Sequence, residues 1–132
     1  EKKPIRIFNN GKMQRDFTYI DDVIQAIFRL IEKPATSNKN FKKEDPDPST
    51  SWAPHRIFNL GNSKPVSLMR FIDVIEGELG EKAVKVYEPM QLGDVKSTYA
   101  NTNKLKEWIN YQPSTSLEKG IKNFIKWYRS FY

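Results

Sequence analysis

Residues 15–33 read RDFTYIDDVIQAIFRLIEK, and this stretch carries the clearest structural signal in the chain. From Tyr19 to Lys33 the apolar residues recur three and four positions apart, which predicts an amphipathic α-helix. Thr18 is placed to cap its first turn, and Pro34 stops it because proline cannot continue a helix. The predicted buried face consists of Ile20, Val23, Ile24, Ile27 and Ile31.

The residues before this helix predict two short extended segments. Ile5 to Phe8 is an apolar run that ends in Asn9-Asn10-Gly11, a typical turn sequence. Met13 to Tyr19 forms a second extended stretch. Two such stretches separated by a short turn favour a β-hairpin.

The residues after residue 55 alternate between strand and helix patterns. Arg56 to Leu60 and Ala83 to Tyr87 predict strands, and Ser67 caps a helix that Gly80 ends. The alternation predicts an α/β fold, or α+β for this piece in isolation, with a small sheet and about four helices. Some apolar helix faces are expected to cover a sheet contributed by upstream sequence. The two later helices are predicted at Thr102–Ile109 and after a capping box of Thr115 and Glu118, the last with a buried stripe of Leu117, Ile121, Ile125 and Tyr128.

Residues 35–55 differ in composition from the rest. Polar residues dominate from Ala35 to Pro54, and three of the eight prolines lie here without any periodicity. Such a stretch predicts a long, exposed and flexible loop within a single unit spanning residues 1–132. Since the chain begins at Glu1 rather than Met, we expect further sequence upstream.

Composition excludes several classes of function. The 132 residues carry a net charge of +6, but the basic residues are scattered and match no nucleic-acid motif, so no nucleic-acid partner is predicted. No apolar run approaches the roughly 20 residues of a membrane span. Without cysteine, and with a single histidine at His55, neither a disulfide nor a metal site is predicted. These features together suggest a cytoplasmic location.

Two short polar segments are candidates for ligand chemistry. Arg15 stands beside Asp16 just ahead of a helix start, where an arginine can hold a phosphate with two hydrogen bonds. The alternatives are a surface ion pair, or an aspartate that stabilises the turn. Gln91-Leu92-Gly93-Asp94 follows a predicted strand, so a carboxylate there can accept hydroxyl bonds from a ligand or simply cap a turn.

Aromatic residues cluster near the C-terminus. Aromatic rings can stack on bases, but helical spacing near a chain end favours burial in the core, and we predict core positions here. His55, at the end of a polar loop, is predicted to be solvent-exposed rather than a proton shuttle. The aromatic set is Trp108, Tyr111, Phe124, Trp127, Tyr128, Phe131 and Tyr132.

Four phrases in order along the chain resemble the extended short-chain dehydrogenase/reductase family. They are residues 4–11 (PIRIFNNG), 15–22 (RDFTYIDD), 56–62 (RIFNLGN), and Gly93-Asp94-Val95 followed by Thr98-Tyr99-Ala100. Within that family, residues 51–56 and 91–95 resemble the UDP-glucuronate 4-epimerase branch. The resemblance implies the C-terminal, UDP-sugar-binding portion of such an enzyme, which interconverts UDP-glucuronate and UDP-galacturonate through a 4-keto intermediate.

The resemblance also implies roles for individual residues. Arg15 matches the arginine that contacts the diphosphate, and Arg6 and Phe8 match the strand that lies against the uracil. Asp94 matches the acidic residue near ribose and diphosphate, with Gln91 as its partner position. Thr98 matches a position close to the hexose, where its hydroxyl can donate to the glucuronate carboxylate.

The same family binds NAD in an N-terminal Rossmann domain, whose motifs do not occur in this sequence. The Gly-rich loop and the Tyr-x-x-x-Lys pair are both missing, so no catalytic or cofactor-binding residue is predicted and the chain alone is expected to be inactive. The resemblance implies a homodimeric parent, while this piece is expected to be monomeric. The alternatives are another nucleotide-sugar epimerase, dehydratase or decarboxylase, or a non-enzymatic binding module.

Overall fold

A computed structural model describes residues 3–132, in which four α-helices and four short strands follow one another. This arrangement confirms the predicted fold class, a small α/β unit with about four helices. The elements are β1 (Ile5–Ile7), a 3-10 turn (Phe8–Gly11), β2 (Gln14–Arg15), α1 (Ile20–Glu32), β3 (Val66–Ser67), α2 (Leu68–Leu79), β4 (Lys85–Tyr87), α3 (Asn103–Ile109) and α4 (Leu117–Phe131).

The strands form two separate two-stranded sheets. β1 pairs in parallel with β4, and β2 pairs antiparallel with β3. The predicted hairpin between the first two extended segments is therefore wrong. The first segment pairs with β4 instead, and this pairing continues past the end of β1, because the backbone N–H of Glu88 donates to Ile7 and that of Asn10 donates to Glu88.

The other strand predictions are only partly met. Residues 56–60 contain no strand, and the pairing there is a single antiparallel bridge between Thr50 and Arg56. The strand expected from Ala83 begins at Lys85. Ala83 does not extend it, because its N–H donates to the carboxylate of Glu76 at 3.0 Å.

Helix α1 packs through a different face from the predicted one. Ala26 is fully buried with Leu105 and Ile109 of α3. Ile20 and Ile31 are 59% and 70% exposed, so the predicted isoleucine stripe is not a core face among the described residues. The reason is that α3 packs against the Asp22–Ala26 side of the helix. The cap also differs, since Tyr19 occupies the N-cap position without a side-chain hydrogen bond.

Helices α2 and α4 pack together through Val74, Ile121 and Ile125. The predicted start and end of α2 are confirmed: Ser67 Oγ accepts the N–H of Arg70, and Gly80 adopts the left-handed conformation. The α4 cap is Ser116 rather than Thr115. The prediction of a buried aromatic cluster is wrong for α4, because its aromatic side chains are about half exposed or more, while Ile121 and Ile125 make the buried contact with α2. The exposed ones are Phe124, Trp127, Tyr128, Phe131 and Tyr132.

Residues 35–55 contain no helix and no strand. Local bonds nevertheless shape the segment: Asn38 N donates to Ser51 O at 2.8 Å, and Asp47 accepts hydrogen bonds from Ser49 and Lys104. Its flexibility stays a prediction.

Candidate functional site

Two of the predicted site residues meet in an ion pair. Arg15 Nη2 donates to Asp94 Oδ1 at 2.7 Å, although the two residues lie 79 positions apart. The second terminal nitrogen of Arg15 donates to the carbonyl of Gln14 at 2.8 Å. The two paired side chains are 24% and 32% exposed, so the guanidinium is anchored on two sides and still reaches the surface.

Asp94 sits in a tight turn that fixes its carboxylate. The N–H of Asp94 donates to the carbonyl of Gln91 at 3.3 Å, and Gly93 adopts φ +83, which favours glycine. The same Oδ1 that meets Arg15 also accepts the N–H of Val95 at 2.7 Å. Gln91 itself is exposed and contributes its backbone to this turn. The carboxylate is therefore held by backbone and arginine together.

Asp16 does not pair with its neighbour Arg15. Its carboxylate instead accepts the backbone N–H groups of Ser63, Lys64 and Ala100. The alternative of a local Arg15–Asp16 ion pair is thereby removed, and the partner of Arg15 is Asp94.

Thr98 lies beside β2, next to the ion pair. Its backbone N–H donates to Gln14 O at 3.3 Å, and its hydroxyl oxygen accepts the N–H of Asp16 at 3.0 Å. Lys96 extends the contact, because its carbonyl accepts the N–H of Gln14 at 2.9 Å. The segment that carries Thr98 and the strand that carries Arg15 are thus hydrogen-bonded side by side.

Arg6 and Phe8 form a second group, at the β1–β4 pair. The guanidinium of Arg6 donates twice to Glu88, at 2.7 and 2.6 Å, and lies 5.0 Å from the centre of the Phe8 ring. These charge-assisted hydrogen bonds lower the pKa of the Glu88 carboxyl. Within residues 3–132, no hydrogen bond or ion pair joins this group to Arg15 and Asp94.

The sequence interpretation missed the roles of Asp16 and Gly61. A Cβ on Gly61 would lie 2.9 Å from Asp16 Oδ2 and 2.5 Å from the Ala100 side chain. The only sequence signal was the turn-like Gly61-Asn62-Ser63 segment, which does not reveal which distant side chain it contacts. In the described part of the chain, no group of three acidic or histidine side chains is placed to hold a metal ion.

Comparison with known proteins shows which family the chain resembles. A model of the NAD dependent epimerase/dehydratase family matches residues 1–61. Protein CapI of Staphylococcus aureus is 46% identical over 128 residues, which cover 97% of this chain and 38% of the relative. A probable UDP-glucuronate 4-epimerase of Rhizobium meliloti is 38% identical over 131 residues, 98% of this chain and again 38% of the relative.

The chain resembles the NAD dependent epimerase/dehydratase family. The resemblance on which the sequence prediction rested is confirmed. The chain spans about two fifths of the length of these relatives.

A solved epimerase shares the fold over nearly the whole chain. The UDP-glucuronic acid 4-epimerase from Bacillus cereus, in complex with UDP-glucuronic acid and NAD, superposes with a TM-score of 0.75 and 27% identity. The match covers 99% of this chain and 37% of that one. The strand, turn and helix arrangement around Arg15 therefore occurs in an architecture that epimerases of this family use. No helix of residues 3–132 has the length and hydrophobicity needed to cross a membrane.

Proposed function

We propose that this chain is the C-terminal, UDP-sugar-binding portion of an NAD-dependent UDP-glucuronate 4-epimerase, and that Arg15 holds the diphosphate. The observation that carries the proposal is the Arg15–Asp94 pair, a guanidinium fixed in direction but still reaching the surface. The names of the relatives support the sugar, since the Rhizobium meliloti protein and four Arabidopsis thaliana proteins are described as UDP-glucuronate 4-epimerases.

The Arg15 guanidinium suits a diphosphate because of its geometry. Arginine carries five N–H donors in a rigid plane, and the contacts with Asp94 and Gln14 use two of them. The other donors can form parallel hydrogen bonds to phosphate oxygens. Asp94 keeps the plane in place before the ligand arrives, which reduces the side-chain entropy lost on binding.

Asp94 has a second role in the proposal. Its Oδ1 is occupied by Arg15 and Val95, whereas within residues 3–132 its Oδ2 has no hydrogen-bond partner. A carboxylate oxygen beside a diphosphate accepts ribose hydroxyl groups well, because it is an acceptor without a donor of its own. Arg15 would then bind the phosphates and Asp94 the adjoining sugar ring.

The remaining predicted residues have less direct support. Arg6 and Phe8 are proposed at the uracil, where the edge of the β1–β4 pair offers backbone groups. Gln91 is proposed beside the diphosphate through its place in the Asp94 turn. Thr98 is proposed near the hexose, where its hydroxyl proton stays free to donate while its oxygen accepts from Asp16.

The described residues do not fit an NAD site. That site needs a glycine-rich loop between a strand and a helix, and no strand-to-helix connection of residues 3–132 carries such a loop. We therefore assign this chain to holding the nucleotide, and assign redox chemistry to other sequence of a longer protein. Tight binding of the nucleotide suits an epimerase, because it retains the substrate while the reacting sugar turns.

The test is a titration of residues 1–132 followed by two-dimensional 1H–15N spectra. UDP and UDP-glucuronate should both give saturable shifts concentrated at residues 14–16 and 94–98. Glucuronate alone and NAD serve as controls and should leave these signals in place. Saturable UDP shifts located elsewhere, or none at all, would contradict the proposal.

A further inference from the structure

Asp16 joins two distant segments of the chain to its own through one carboxylate. Its Oδ2 accepts the backbone N–H of Ser63 at 3.0 Å and that of Ala100 at 3.1 Å, and its Oδ1 accepts that of Lys64 at 3.3 Å. The donors lie 47, 84 and 48 residues away in sequence. An ionised carboxylate is well suited to this junction, since it only accepts hydrogen bonds.

The residues around the Asp16 carboxylate pack closely against it. The N–H of Asp16 donates to Thr98 Oγ1, which adds a fourth bond to the same junction. Gly61 leaves room for the carboxylate, because a Cβ there would approach Oδ2 to 2.9 Å. Ser63 adopts φ +56, an uncommon conformation for a residue with a side chain, while its hydroxyl donates to Ala100 O at 2.8 Å.

The junction lies close in the chain to both members of the Arg15–Asp94 pair, the proposed diphosphate site. Arg15 directly precedes Asp16 in the chain. Asp94 begins the segment that returns through Thr98 to Ala100, and both of these residues bond to Asp16. Asp16 therefore adds to the backbone bonds of Gln14 in fixing one segment against the other, and so helps to set the 2.7 Å contact between Arg15 and Asp94.

We infer that Asp16 is a positioning residue, which holds Arg15 and Asp94 in register for the diphosphate without touching the ligand. This inference rests on the proposed function of Arg15. The role differs from a general contribution to stability. Loosening this junction should lower nucleotide affinity, whereas an equal loss of stability elsewhere in the fold should not.

The chain contains a matched control for this claim. Asp22 is also an acceptor for distant groups: its Oδ2 accepts the N–H of Ser114 and Thr115, and its Oδ1 accepts the hydroxyl of Tyr111. It joins α1 to the segment before α4 rather than to the Arg15–Asp94 pair. Replacing either aspartate weakens a comparable set of hydrogen bonds, but only Asp16 lies at the junction beside the Arg15–Asp94 pair.

The experiment compares Asp16→Asn with Asp22→Asn by UDP titration and thermal melting. Asparagine keeps one acceptor oxygen but turns an NH2 group toward a backbone donor, so both variants should melt lower. Asp16→Asn should lower UDP affinity about five- to tenfold, the size of coupling expected between contacting groups. Asp22→Asn should leave it within about twofold. An affinity loss in Asp16→Asn no greater than in Asp22→Asn would overturn the inference.

Two further variants keep the outcomes separable. Normal UDP affinity in Arg15→Ala would refute the proposed function itself. Reduced UDP affinity in Arg15→Ala together with normal UDP affinity in Asp16→Asn would refute only the positioning role.

If Asp16→Asn does not fold, Thr98→Val removes one bond of the junction at nearly constant shape. Because UDP has no hexose, loss of a direct sugar contact would leave UDP affinity unchanged. We expect Thr98→Val to lower UDP affinity roughly two- to fivefold, the effect of one weakened contact. Unchanged UDP affinity in this variant would overturn the inference.

Discussion

Gly61 is the position where the packing around Asp16 is most directly testable. In Gly61→Ala the new methyl carbon would lie 2.5 Å from the Ala100 Cβ, whereas carbon atoms in contact normally stay about 3.5–4.0 Å apart. One segment must therefore move by about 1 Å. A movement of that size would stretch the 3.1 Å hydrogen bond from Ala100 to Asp16 beyond normal range.

The expected cost of Gly61→Ala is about 2–5 kcal/mol in the free energy of unfolding. Overpacking contributes about 1–3 kcal/mol, and weakening a hydrogen bond to a charged group adds about 1.5 kcal/mol or more. Urea unfolding followed by circular dichroism measures this difference. The matched control is Gly77→Ala, because nothing lies within 4 Å of a Cβ there and alanine favours a helix by about 0.5–1 kcal/mol. A free energy of unfolding for Gly61→Ala within about 0.5 kcal/mol of wild type, the usual range for a neutral surface change, would refute the predicted clash.

Three further outcomes are expected. Hydrogen bonds from Lys82, Lys85 and Ala83 lower the pKa of Glu76 from 4.5 to about 2, so this carboxylate should stabilise the fold above pH 4.5 and lose that effect as the pH falls toward 2. In Glu76→Gln the melting temperature should therefore fall less steeply as the pH is lowered from 4.5 toward 2. A pH dependence equal to that of wild type would contradict this. Residues 1–132 alone should neither epimerise UDP-glucuronate nor bind NAD tightly, and product detected by chromatography with purified chain would disprove it. Amides of residues 35–54 should exchange hydrogen faster than those of α1, and equal protection would refute the predicted flexibility.

Local features of the fold could be predicted because short-range chemistry determines them. Ser67 caps α2 through a bond to Arg70, three residues away, and Gly80 ends it by adopting a conformation that other residues avoid. Both signals lie within one turn of the boundary that they define. The α4 cap was misplaced by one residue, since Ser116 and Thr115 offer the same hydroxyl chemistry.

Tertiary packing could not be predicted in the same way. Helix α1 has isoleucines on one side and Asp22, Ala26 and Leu30 on another, and hydropathy favours the isoleucines. The structure buries the second side, because α3 offers Leu105 and Ile109 there. Periodicity indicates that a helix has an apolar face, but it does not tell which partner is present to cover it.

The candidate site shows the same limit. The composition and spacing of the two stretches do not indicate that Arg15 and Asp94 meet across 79 residues, and only the family resemblance placed both at the diphosphate. Asp16 looked like a local partner of Arg15, whereas its actual partners come from two other segments. Such long-range pairs follow from topology, here from the bridge between Gln14 and Ser97 that sets the two segments side by side.

The most direct test of the account is UDP affinity measured in wild type and Arg15→Ala, with melting curves for both. A charge-assisted hydrogen bond contributes about 1.5–3 kcal/mol, so the affinity should fall about ten- to a hundredfold. The melting temperature should hardly change, since a surface ion pair is worth about 0–1 kcal/mol. Arg15→Lys should restore only part of the affinity, because an ammonium group lacks the planar fork. Equal UDP affinities, with a lower melting temperature in Arg15→Ala, would instead make Arg15 a structural partner of Asp94.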